Sequence, residues 1–81
     1  MDTVKVYGAG WCEDTKSTRA HLDAKGVAYE YIDVDNDADA RQWVIDHSDG
    51  ERVMPAVAVG ERVVVEPKPE QLDEFLRQAE A

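Results

Sequence analysis

The stretch from Val4 to Val34 switches twice between strand-like and helix-like patterns, and that switch restricts the fold more than any other feature of the chain. Val4-Lys5-Val6-Tyr7 reads as a short strand ended by Gly8-Ala9-Gly10. Cys12 to about Lys25 reads as a helix closed by Gly26, a residue suited to the left-handed position after a helix, with Ala20, Leu22 and Ala24 as its apolar face. Val27 to Val34 follows as a β-rich run containing Tyr29, Tyr31, Ile32 and Val34. Two strands joined by a helix return parallel through a right-handed crossover, which points to an α/β fold.

The rest of the chain completes that sheet. Any residue of Asp35-Asn36-Asp37 can cap a second helix, in which Ala40, Trp43, Val44 and His47 fall at helical spacing before Ser48-Asp49-Gly50 breaks it. Ala56 to Val59 and Arg62 to Val65 flank Gly60-Glu61, with glycine first as a type II′ hairpin turn prefers. A last helix begins around Pro69 and buries Leu72, Phe75, Leu76 and Ala79. The order is β-α-β-α-β-β-α, and its simplest closed form is a four-stranded mixed sheet flanked by helices. With 81 residues there is room for one core, so residues 1–81 are expected to form a single domain.

Charge and composition narrow the function. Eighteen acidic against nine basic residues give a net charge of −9, which disfavours nucleic acid and anionic membrane surfaces as partners. No apolar run approaches the roughly 20 residues of a membrane span, and the start of the chain has neither a basic nor an apolar leader region, so a cytoplasmic protein is expected. The single cysteine, Cys12, allows no internal disulfide and no zinc knuckle. His21 and His47 lack a second soft ligand at metal spacing and read as surface or capping residues, so no metal site is expected. The aspartates between Asp33 and Asp39 lack the glycine and terminal glutamate of a calcium loop and read as a solvated turn.

Cys12 follows the first strand and its glycine turn, at a helix start where backbone N–H groups have no intrahelical partner. A thiolate there gains from those groups and from the helix dipole. A buried core cysteine also fits a helix start, but the flanking Gly10, Trp11, Glu13, Asp14 and Thr15 are polar and turn-forming, so an exposed thiol is expected. Glu13 and Asp14 oppose the thiolate, while Lys16 either leans towards it or is an ordinary exposed helix lysine. Met54-Pro55 directly precedes the hairpin. Proline there can be a ladder-edge residue; in cis it would turn the Met54 N–H and C=O outward, ready for an extended peptide-like ligand beside the thiol.

Trp11-Cys12-Glu13-Asp14-Thr15 after the first strand, Arg52-Val53-Met54-Pro55 before the hairpin and the element order together resemble the glutaredoxin family of the thioredoxin fold, over nearly the whole chain. The Trp-Cys start, the arginine three residues before the proline and the proline-containing approach to the last helix resemble the actinobacterial mycoredoxin branch. The resemblance implies thiol–disulfide exchange with Cys12 as nucleophile in a C-E-D-T motif. It also implies a cis-proline turn at Met54-Pro55 that docks the substrate, with Arg52, Val53 and Lys16 beside it.

Three departures shape that implication. Thr15 stands in place of the second cysteine of C-x-x-C, which closes the two-cysteine route and leaves a monothiol one. Val64-Val65-Glu66-Pro67 replaces the usual Gly-Gly pair, putting side chains where glutathione would lie, and Ala9 stands where many glutaredoxins carry lysine. Glu13 and Asp14 are the third departure. The implied co-substrate is a low-molecular-weight thiol, mycothiol or glutathione, with no tightly bound cofactor. The implied partners are S-thiolated proteins, and a monomer is expected. Two other readings follow from the same resemblance: a monothiol glutaredoxin holding a [2Fe–2S] cluster between subunits, which the two acids weigh against, and a thioredoxin-fold interaction domain that has lost catalysis.

Overall fold

The computed structural model describes residues 3–48 and 54–80. Its elements are β1 (Val4–Gly8), α1 (Glu13–Ala24), β2 (Tyr29–Asp33), α2 (Ala38–Asp46), β3 (Ala56–Val59), β4 (Arg62–Val65) and α3 (Pro69–Glu80). The strands form one sheet in the order β2-β1-β3-β4. β1 and β2 run parallel, as the crossover requires, and the β1–β3 and β3–β4 pairs are antiparallel. This is the thioredoxin-like α/β architecture, with β1 central and its C-terminal end leading into Cys12.

Alternation along the strands divides the core into two layers. Val6 and Val57 face Leu22 of α1 and Leu72 of α3, with Phe75 and Leu76 packed around them. Tyr7, Ala56 and Ala58 face the other way, onto Ala40 and Val44 of α2. The small alanines of β3 let this short helix lie close to the sheet. Tyr7 and Trp43 stack at 4.1 Å, and His47 stacks on the far face of Trp43 at 4.0 Å. Burial, then the carboxylates of Glu30 and Asp37, pushes the Tyr7 phenol above its ordinary range.

Local chemistry explains where the elements stop. Gly26 takes φ +70° after α1; its N–H donates to the Asp23 carbonyl, and the Val27 N–H donates to the Leu22 carbonyl at 3.0 Å. This pair of bonds is a Schellman closure. It occupies the Val27 N–H, so the ladder with β1 begins at Tyr29, opposite Val4, and β2 is shorter than the Val27 to Val34 run suggests. Asp37 is the residue that caps α2, accepting from the Ala40 N–H at 3.0 Å. Gly60 has φ +61° at the hairpin tip. Lys68 precedes α3, and its N–H is held by the Gln71 side chain at 2.9 Å, one half of a capping box.

One expectation about α1 fails. Ala20 and Ala24 are exposed, and the buried face is Thr15, Thr18 and Leu22, at i, i+3 and i+7. The threonines stand at the positions that the helical period turns inward. Helix α1 also begins at Glu13, with Cys12 as its extended N-cap residue (φ −84°, ψ 120°). Among the described residues no helix is long and apolar enough to cross a membrane.

Candidate active site

The first turn of α1 is pressed onto the end of β1. A β-carbon placed on Gly8 would lie 2.5 Å from both Cγ2 and Oγ1 of Thr15, so only glycine permits this approach. Thr15 is fully buried, and its Oγ1 lies 3.5 Å from the Ala9 N–H. The residue in place of a second cysteine is thus a packing contact beneath the site. Across the turn, the Cys12 N–H donates to the Ala9 carbonyl at 3.1 Å, and the Cys12 carbonyl accepts the first helical bond from the Lys16 N–H at 3.1 Å.

These bonds leave the Cys12 side chain at the helix N-terminus, half-buried and free of any capping hydrogen bond. The thiol is less exposed than its polar flanks suggest, because it leans on the α2-side cluster that includes Ala9, Val34, Ala40 and Met54. Three backbone N–H groups, those of Glu13, Asp14 and Thr15, stand in the first turn without i−4 partners in the helix, a setting that favours negative charge.

The Met54–Pro55 peptide bond is cis. Neither the N–H nor the C=O of Met54 bonds to the backbone of another described residue, whereas the Pro55 carbonyl accepts from the Glu66 N–H at 2.8 Å. Glu66 reaches that bond from φ +46°, a left-handed conformation that glycine adopts more easily. It lies in the stretch that stands in place of the glutaredoxins' usual glycine pair, and no glycine or asparagine signals the conformation. Met54 and Cys12 pack on the same core cluster, so the Met54 backbone and the thiol belong to one end of the sheet.

The charged residues separate. Glu13 pairs with Lys16 at 3.3 Å, one turn along the exposed face, so Lys16 is engaged by a carboxylate. Asp14 instead lines a groove of about 340 Å³ between α1 and the start of α3, together with Ser17, His21, Pro55, Glu66 and Lys68. At the groove's edge His21 Nε2 meets Asp73 Oδ1 at 2.7 Å, tying α1 to α3. That hydrogen bond, reinforced by Lys25, holds the Asp73 carboxyl below its ordinary range. A larger apolar hollow of about 500 Å³, lined by Val4, Gly26, Val27 and Leu76, lies at the opposite end of β1.

Trp11 is 65% exposed, and its indole N–H donates to Asp35 Oδ2 at 2.6 Å. Asp35 therefore joins the site from the loop after β2, across 24 residues of sequence, and nothing local in the chain announces it. The expected site residues Trp11, Cys12, Glu13, Asp14, Thr15, Lys16, Met54 and Pro55 are all placed at or beside this end of the sheet; Arg52 and Val53 lie outside the described residues. His47 is the C-cap residue of α2, with Nδ1 2.7 Å from the Trp43 carbonyl. Among the described residues, no three His, Cys, Asp or Glu side chains converge on a metal position.

A thiol at a helix N-terminus beside a cis-proline turn, on this sheet order, defines a thioredoxin-fold thiol centre. Comparison with known proteins narrows the class: the family profile described as Glutaredoxin matches residues 4–64, and the chain belongs to the glutaredoxin family, whose general chemistry is thiol–disulfide oxidoreduction. Mycoredoxin 1 of Corynebacterium glutamicum is 40% identical over 57 residues, 70% of each chain. Among solved structures, a point mutant of the thioredoxin-like protein BC3987 superposes with a TM-score of 0.82 at 30% identity, covering 95% of this chain and 97% of that one. A glutaredoxin from Archaeoglobus fulgidus gives 0.76 at 27% identity, covering 95% and 88%.

Proposed function

We propose that this protein is a monothiol oxidoreductase that releases small thiols from S-thiolated proteins. The observation that carries the reading is the half-buried Cys12 at the N-terminus of α1, at the same end of the sheet as the Met54 backbone, which pairs with no other backbone group among the described residues and precedes a cis proline. In the first step the Cys12 thiolate attacks the small-thiol sulfur of a mixed disulfide. An S–S bond forms between Cys12 and the small thiol, the S–S bond to the substrate protein's cysteine breaks, and the protein leaves as a thiolate that takes up a proton. In the second step another small-thiol molecule, as its thiolate, attacks the sulfur of the first. The products are the small-molecule disulfide and free Cys12, so the incoming small thiol is the reductant and no second protein cysteine is needed.

Thr15 supports this route over a dithiol one, since it fills the second-cysteine position with a buried hydroxyl. The co-substrate is mycothiol or glutathione. Similarity to a mycoredoxin favours the first, and Asp14 and Glu66 in the adjoining groove disfavour the carboxylates of the second. Met54 offers its N–H and C=O to the backbone of the thiolated protein as an added strand would. The protein acts as a cytoplasmic monomer without a resident cofactor.

Intact-mass spectrometry after separate exposure to oxidised mycothiol and oxidised glutathione tests the reading. A single adduct on Cys12, formed faster with one disulfide, names the co-substrate. Absence of any adduct under conditions where iodoacetamide alkylates Cys12 would reject thiol exchange.

A further inference from the structure

We propose that Asp35 is a positioning residue for the exchange reaction, acting through Trp11. The proposal rests on the reading that Cys12 reacts with mixed disulfides. The sheet order β2-β1-β3-β4 sets the loop after β2 and the Met54–Pro55 turn before β3 on opposite sides of the β1 end that leads to Cys12. Met54–Pro55 bounds one side of the thiol, and Trp11 stands on the other, bonded to the post-β2 loop.

An indole that is 65% exposed has little packing to fix its orientation, so its hydrogen bond must do so. The acceptor is a carboxylate at 2.6 Å, which makes the bond charge-assisted and short. Asp35 is itself held from several directions. Its N–H donates to Asp33 Oδ1 at 2.9 Å, and its carbonyl accepts from Arg41 Nη2 at 3.2 Å. Arg41 Nε also donates to the Val34 carbonyl at 3.2 Å, while the Val34 N–H bonds to the Gly8 carbonyl at 3.0 Å. Asn36 adds a bond from its side chain to Asp33 Oδ2 at 2.8 Å.

The run of aspartates is the exposed turn that was expected, and it is braced as well. It connects α2, through Arg41, and the end of β1, through Gly8, to one side chain next to the nucleophile. Its function is to hold the Trp11 ring as a fixed wall, so that the chain bearing the disulfide passes between Trp11 and Met54 with its sulfur over Cys12. A fixed wall lowers the ordering cost of binding and leaves the thiol's intrinsic reactivity alone.

The test uses Asp35→Ala, Asp35→Asn and Trp11→Phe, assayed with a peptide carrying a mixed disulfide to the small thiol. Asp35→Ala should raise KM about threefold to tenfold, the scale of the net contribution of one hydrogen bond in an exposed setting, with kcat and the iodoacetamide alkylation rate of Cys12 little changed. Asp35→Asn keeps a side-chain oxygen acceptor and should recover most of the loss. In the Trp11→Phe background, where no indole N–H exists, Asp35→Ala should cost clearly less. In a ¹H–¹⁵N spectrum the Trp11 indole signal should move and exchange faster in Asp35→Ala, with the Trp43 signal unmoved. An unmoved Trp11 signal, or an Asp35→Ala penalty undiminished in Trp11→Phe, would overturn the proposal. A wild-type protein that does not turn over the peptide would instead overturn the functional reading and the positioning role with it. The indole signal distinguishes that failure from loss of the Trp11–Asp35 contact alone.

Discussion

Thr15 and Gly8 occupy each other's space: the threonine side chain lies where a β-carbon on Gly8 would fall, 2.5 Å from Cγ2 and Oγ1. The contact sets the height of α1 above the end of β1, and with it the height of Cys12 above the sheet. Gly8→Ala should therefore destabilise the fold by about 1–3 kcal/mol, the usual range for forcing an extra carbon into a packed core. Denaturant unfolding of Gly8→Ala alone and in a Thr15→Ala background checks the cause. The alanine at position 8 should cost clearly less once the Thr15 side chain is trimmed; an equal cost in both backgrounds would place the clash elsewhere.

The elements with strong local signals were legible residue by residue. The hairpin strands stop where Gly60-Glu61 interrupts alternation, and α3 starts at Pro69 because proline suits a first helical position. The buried face of α1 was not legible, since Thr15 and Thr18 count as polar by composition although both are buried. Lys16 had two readings, leaning towards the thiolate or standing exposed on the helix; it is exposed, and it pairs with Glu13 three residues earlier. The roles of Asp35 and Asp73 depend on partners 24 and 52 residues away, which no local pattern contains.

Glu66 holds a left-handed conformation that costs a side-chain-bearing residue about 1–2 kcal/mol, while glycine adds disorder to the unfolded chain worth about 0.4–1 kcal/mol. Glu66→Gly should then stabilise the protein by up to about 1 kcal/mol, read as a small rise in Tm. The same change removes a carboxylate from the groove beside Pro55 and should speed reaction with an anionic disulfide such as oxidised glutathione. A fall in Tm would mean that the Glu66 side chain contributes more than its backbone conformation costs.

Asp14 faces the groove while the Glu13 carboxylate is engaged by Lys16, so the two acids should act unequally on incoming anions. Asp14→Asn should accelerate reaction of Cys12 with oxidised glutathione about twofold to fivefold at low ionic strength, the scale of one exposed charge a few ångströms away. The gain should shrink in 1 M salt, where the screening length falls to roughly 3 Å. Stopped-flow measurements at both salt levels test this, and a salt-independent gain would point to shape rather than charge.

The Asp73 carboxyl is held below its ordinary value of 3.8, chiefly by the hydrogen bond from His21. A depressed carboxylate contributes stability that is fully present above its unfolded-state value and is lost as pH falls through the folded-state one. Wild-type protein should therefore lose stability relative to Asp73→Asn as pH drops through and below about 4. Urea unfolding at a series of pH values measures it; parallel curves down to pH 2 would show that the α1–α3 tie adds nothing through ionisation.

The most direct test of the account is release of a small thiol from an S-thiolated protein, followed by mass spectrometry of both proteins in the presence of excess reduced small thiol. Wild type should free the substrate thiol catalytically and pass through a species with the small thiol on Cys12, while Cys12→Ser should fold normally and release nothing above the uncatalysed rate. Release at equal rates by wild type and Cys12→Ser, or a mixed disulfide formed between Cys12 and the substrate protein in place of the small thiol, would contradict it.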